Sequence, residues 1–343
     1  MLQLTELTQP GGWLPVVFLA LMGIAMLAYV VLDGFDLGVG ILLPRATDSQ
    51  KDMMIASIGP FWDANETWLV LGVGILLVAF PEAHGVILGE LYLPVAFMLI
   101  GLVLRGVAFD FRVKARDSHK DAWNWTFAGG SVLATMAQGV MIGLYITGFR
   151  YDWPQLLFAM FTGLSLLAAY ALLGATWLMM KADGALQLRA VQWAHRSLLL
   201  SALGIAAVSI ATPLVSHQIF AKWFSFPNIL ILAPVPVLTV ASFVLIDRVL
   251  RSLPARLEQG DEGWCWVPFG ATVSIFLLAF TGLAYSIFPF LVVDRITIWQ
   301  AASAPEALKI ILIGVAVVLP AVIGYTIFSY KVFWGKARAL SYS

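Results

Sequence analysis

The sequence holds almost no cysteine. A single thiol, Cys265, occurs in 343 residues, which excludes an internal disulfide, a cysteine-only metal site and the C-x-x-C-H attachment of a c-type heme. Charge is scarce too. Asp, Glu, Lys and Arg make up 12% of the chain and cancel to a formal net charge of zero, so no global field points to a nucleic acid or an acidic partner. Histidine is rare: His84, His119, His195 and His217 are the full set, and all fall in loops or at the ends of apolar runs. None is placed to ligate a heme inside a membrane. Low-complexity stretches, fixed-period repeats and long polar linkers are absent, which leaves no room for a sizeable domain outside the bilayer. The start of the chain has Glu6 but no Lys or Arg before Arg45. It therefore does not read as a secretory signal.

What fills the chain is apolar. Hydrophobic residues are 61% of it, far above a soluble domain, and runs long enough to cross a bilayer recur from end to end. They predict an all-α integral membrane protein of about nine spans, in one polytopic domain over residues 1–343. The spans fall near 14–43, 53–80, 86–111, 122–149, 155–180, 196–218, 228–250, 264–290 and 307–334. Barrel-like alternation is missing. Lys and Arg collect between alternate spans, at Arg45 and Lys51, Arg112 to Lys120, Lys181 to Arg196, Arg248 to Arg256 and Lys331 to Arg338. The opposite side has only Arg150, Lys222, Arg295 and Lys309. Positive charge marks the cytoplasmic side, so the N-terminus is expected outside and the C-terminus inside. Most of the 13 tryptophans lie near span ends, as an interfacial belt does.

Ionisable residues inside spans are costly and each is a functional hypothesis by default. Six stand out: Asp33 and Asp36 in the first span, Asp63 and Glu66 in the second, Arg105 and Asp110 in the third. Counting helical rise from the inner ends puts them all in the cytoplasmic half, with Asp63 roughly 15 Å from Met53. The i, i+3 spacing sets Asp33 with Asp36, and Asp63 with Glu66, on one face each. The plain reading is a buried ion-pair network, with Arg105 and Asp110 as its structural pair. That leaves several carboxylates without a cation, and unpaired buried charge is costly. A proton-uptake path made of Asp33, Asp36, Asp63 and Glu66, with Asn65 and Trp62 beside them, accounts for the excess. The glycine pairs Gly34/Gly38 and Gly139/Gly143 permit close helix approach, a weak signal in so glycine-rich a chain.

The first two spans read Asp33-Gly34-Phe35-Asp36-Leu37-Gly38-Val39-Gly40 and Pro60-Phe61-Trp62-Asp63-Ala64-Asn65-Glu66-Thr67-Trp68. They resemble the D-G-F-D-x-G-V-G and P-x-W-D-x-N-x-x-W signatures of cytochrome bd oxidase subunit II. Arg105-Gly106-Val107-Ala108-Phe109-Asp110-Phe111-Arg112 resembles that family's R-x-x-x-F-D-x-R. Ala64 stands where many members have Gly. The compact length resembles the cyanide-insensitive branch. The resemblance implies a bacterial inner-membrane quinol oxidase that reduces O2 to water and generates proton motive force. It implies hemes b and d in a partner subunit I and none in this chain, with a structural quinone and small single-span accessory subunits as further expectations. It assigns Asp63 to a proton route toward the hemes. A proton-coupled secondary transporter is the alternative class, and broken helices in two related halves would mark it.

Overall fold

The structure is a computed structural model and describes residues 6–337. Arg338 of the basic tail lies outside that range, as does the side chain of His217. Among the described residues nine helices are long and apolar enough to cross a membrane. The chain runs through α1 (Leu14–Leu42), α2 (Asp48–Ile58), α3 (Trp62–Ala79), α4 (Pro81–Glu90), α5 (Tyr92–Lys114), α6 (Asp117–Ile146), α7 (Trp153–Lys181) and α8 (Gly184–Val215). Short α9 (His217–Phe224) and α10 (Asn228–Leu232) lead into α11 (Pro234–Glu258) and α12 (Val267–Ile287). A small hairpin follows, β1 (Phe290–Val292) against β2 (Ile296–Thr297), then α13 (Ile298–Ala301) and α14 (Pro305–Val332).

Three elements depart from the apolar pattern. The second span was expected to be continuous over 53–80, but the chain is helical only to Ile58 and restarts at Trp62. Pro60 lacks the N–H that a through-running helix needs. The separate α2 is capped at its start by the Gln50 side chain, which accepts from the Thr47 N–H. Ahead of the third span, Pro81–Glu90 forms its own helix, and the crossing helix begins at Tyr92. The helix of the sixth span, α8, begins a dozen residues earlier than its apolar run, at Gly184, whose φ of +57° turns the chain out of α7. A positive φ costs glycine nothing.

Helix α1 sits at the centre and packs on α3, α6 and α7. Its contact with α7 is backbone on backbone. A Cβ built on Gly38 lies 1.9 Å from the Tyr170 carbonyl oxygen, and one on Gly174 lies 2.3 Å from the Gly38 carbonyl carbon. The Gly139/Gly143 pair works the same way, its two positions meeting Gly163 and Ala159 of α7. Since no side chain can yield at Gly38, Gly38→Ala is expected to lower stability by at least the roughly 1–3 kcal/mol of ordinary overpacking. Gly129→Ala, which meets nothing within 4 Å, should melt like the parent. Thermal melting and yield of the assembled complex check both.

Candidate functional site

The centre of the site is Arg105, on α5 and 2% exposed. One guanidinium nitrogen donates to Asp33 Oδ1 at 2.6 Å and the other to Glu66. Three helices, α1, α3 and α5, are thereby tied at one depth. Asp36 is one turn further along α1, fully buried. Its Oδ2 accepts from Asn65 Nδ2 at 2.8 Å, and the same amide also donates to the Leu32 carbonyl. Asn65 Oδ1 in turn accepts from the Tyr330 hydroxyl at 3.1 Å, which brings the last helix, α14, into the site. The orientation of this amide is dictated by its neighbours, because a carboxylate oxygen can only accept and the tyrosine can donate.

Two buried carboxylate oxygens, Asp33 Oδ2 and Asp36 Oδ1, have no hydrogen-bond partner. A small cavity beside Asp36 is lined by that residue together with Arg105, Trp62, Ile58, Phe109 and Phe127. Its solvent-sized volume, about 10 Å³, is close to the roughly 10–15 Å³ that one water molecule needs. Trp62 forms one wall and packs on Phe109 with ring centroids 5.4 Å apart.

The expected residues divide on this geometry. Asp33, Asp36, Asn65, Glu66 and Arg105 come together, and Trp62 borders them. Asp63 does not join them. It is exposed in the first turn of α3, because the break at Pro60 puts the helix start there and the depth counted from Met53 no longer applies. An acidic group suits that place, where the helix dipole is positive. The pairing of Arg105 with Asp110 is also corrected. Five residues along a helix is about 140° around it, and Asp110 is exposed while Arg105 points inward to Asp33 and Glu66. The second arginine of that motif, Arg112, is buried and holds Asp52 at 2.7 Å and Asn124 at 2.6 Å. This second pair ties the end of α5 to α2 and α6.

Tyr330, Asp52 and Asn124 were not singled out in the sequence. Tyrosine and asparagine near span ends carry no charge signal, and Asp52 reads as a loop residue. Among the described residues no group of three or more His, Cys, Asp or Glu could hold a metal ion.

Residues 14–333 match the family described as cytochrome bd terminal oxidase subunit II. The chain belongs to that family. It is 29% identical to the cytochrome bd ubiquinol oxidase subunit 2 of Bacillus subtilis, with 91% of this chain and 94% of that one covered. It is 27% identical to the cytochrome bd-I ubiquinol oxidase subunit 2 of Escherichia coli over 92% of this chain and 93% of that one. The fold matches a chain of the bd oxidase from Geobacillus thermodenitrificans with a TM-score of 0.72, at 17% identity, covering 94% of this chain and 99% of that one. As a member of the family, this protein is a membrane-embedded subunit of a quinol oxidase complex, an oxidoreductase assembled with subunit I. The cluster around Arg105 is built from all three of its sequence signatures.

Proposed function

We propose that this subunit carries protons from the cytoplasm toward the oxygen-reducing centre of a complex that oxidises membrane quinol and reduces O2 to water. One observation supports this above the rest. Two carboxylates share the buried Arg105, and Asp36, a third beside them without a cation, has a free oxygen beside a water-sized cavity. A charge left unpaired there is expensive, so Asp36 is the group that takes up and gives back a proton. Asp33 and Arg105 remain as a fixed pair. Asp63, exposed at the start of α3, is the entrance, and Trp62, next to it in the chain, lines the cavity.

In this reading the hemes b and d belong to subunit I and supply the O2 chemistry. None of the described histidine side chains of this chain, His84, His119 and His195, is buried, which fits that division. The N-terminus lies outside and the C-terminus in the cytoplasm of a bacterial inner membrane, as the basic loops indicate. A structural quinone and single-span accessory subunits remain part of the proposal by family resemblance.

The test is a reconstituted complex in vesicles with internal and external pH indicators. Quinol should drive O2 consumption with proton uptake from the side bearing the Lys331 end. Asp63→Asn should slow O2 uptake per heme several-fold, since bulk water can partly bypass an exposed entrance. A heme-free chain that purified alone and moved a solute would instead establish the transporter reading.

A further inference from the structure

A second tyrosine–amide arm, outside the family signatures, approaches the other aspartate. Gln138 of α6 donates from Nε2 to the Tyr29 hydroxyl at 2.9 Å, and the Tyr170 hydroxyl of α7 donates to Gln138 Oε1 at 2.8 Å. Tyr29, Gln138 and Tyr170 are all buried, at 2%, 6% and 0% exposed. Tyr29 precedes Asp33 by one helical turn and is its neighbour on the same face of α1. Oδ1 of that carboxylate is taken by Arg105, while Oδ2 has no partner.

The direction of the chain follows from donor counting. Tyr29 oxygen already accepts from Gln138, so the tyrosine's own hydrogen is left to give. With the amide turned over, Gln138 Oε1 would take that hydrogen and Asp33 would lose it. The turned amide would donate to Tyr170 instead and leave both the Tyr170 hydrogen and Asp33 Oδ2 without a partner, so the observed sense satisfies more groups. The ring of Tyr170 is held in place by Gly34, where an added Cβ would come within 2.9 Å of it, and by Phe276, whose ring centroid is 5.8 Å away. Gly34 thus has a reason within this arm. A primary amide relays protons poorly, so the arm ends at Asp33 and is no wire.

We infer that Tyr29 is a positioning residue that donates to Asp33 Oδ2, and that Gln138 and Tyr170 hold its hydroxyl in that sense. Asp33 then has a donor on each oxygen and stays the fixed counter-charge of Arg105. The exchangeable proton is confined to Asp36. This consequence rests on the proton-uptake reading above, but the hydrogen bond itself does not.

The experiment uses the assembled complex carrying Tyr29→Phe, Tyr170→Phe or both. Heme content should match the parent. Turnover with Tyr29→Phe should fall about tenfold, the scale of one hydrogen bond to a charged group, with KM for quinol unchanged. Infrared spectra of the resting enzyme should gain a protonated-carboxyl band that shifts in heavy water. Tyr170→Phe should give the same band with a smaller loss, and the double variant should resemble Tyr29→Phe alone, because both changes act on one bond. Parent-like infrared spectra in Tyr29→Phe overturn the inference, and so do losses that multiply in the double variant. If Tyr29→Phe fails to assemble, the spectrum of Tyr170→Phe decides in the same way. A new band with unchanged turnover upholds the hydrogen bond and counts against proton uptake through the cluster.

Discussion

Arg105→Ala is expected to abolish most of the assembled complex. The guanidinium is the shared partner of Asp33 and Glu66, and Asp36 lies a turn away on the Asp33 helix. Its removal leaves Asp33 and Asp36 buried without a cation, beside the half-buried Glu66. Losing one partner of a buried pair costs about 3–5 kcal/mol, the scale for Asp33, and the half-buried pair with Glu66 goes with it. The contacts also join α1, α3 and α5, so the loss is felt as helix docking as well as charge. Arg105→Lys should recover little. A single ammonium cannot span the two carboxylates in the forked geometry that the guanidinium offers. The measurement is heme-bearing complex per cell and its melting temperature. A variant Arg105→Ala that assembled in normal yield and melted with the parent would show that the cluster is held by packing alone.

The same cluster shows what could be read from the chain. Apolar runs locate the nine crossing helices because bilayer thickness sets a minimum length that composition cannot hide. Asp33, Asp36, Glu66 and Arg105 are visible because a charge in such a run is expensive wherever it points. Rotation and breaks are harder to see. Asp110 has the same cost signal as Arg105, yet lies on the opposite side of α5 and out of the cluster. Asp63 was assigned to the interior on the assumption that residues 53–80 form one helix. Gly59-Pro60 marked the break, and reading it as a helix stop would have moved Asp63 to the helix start. The arms that end on Asp33 and Asp36 were out of reach. Tyr29, Gln138, Tyr170 and Tyr330 are uncharged and come from four helices, and each finds its partner only when the helices pack. Gln138 was the one hint, a side-chain amide in the apolar stretch of α6 with nothing in its own helix to satisfy it.

The two aspartates of α1 therefore make different predictions although they share a motif. Asp36→Asn keeps the size of the side chain and can still accept from Asn65 Nδ2 through its carbonyl oxygen, so the contacts of α1 with α3 and α14 survive. The complex should form with normal heme content. What the variant loses is the capacity to bind and release a proton next to the cavity. Quinol-driven O2 uptake per heme is expected to fall by on the order of 100-fold or more, the lower range for a group that transfers protons. Asp36→Glu restores a carboxyl at the cost of one methylene in a packed site, and should recover part of the rate. Asp63→Asn, at an exposed position, should be clearly milder than Asp36→Asn. The comparison is decisive because all three variants are measured against heme content. If Asp36→Asn turned over like the parent while Asp63→Asn was inactive, the buried aspartate would be a neutral structural hydrogen-bonding group. The route would then run along the exposed face of α3, outside the cluster of Arg105.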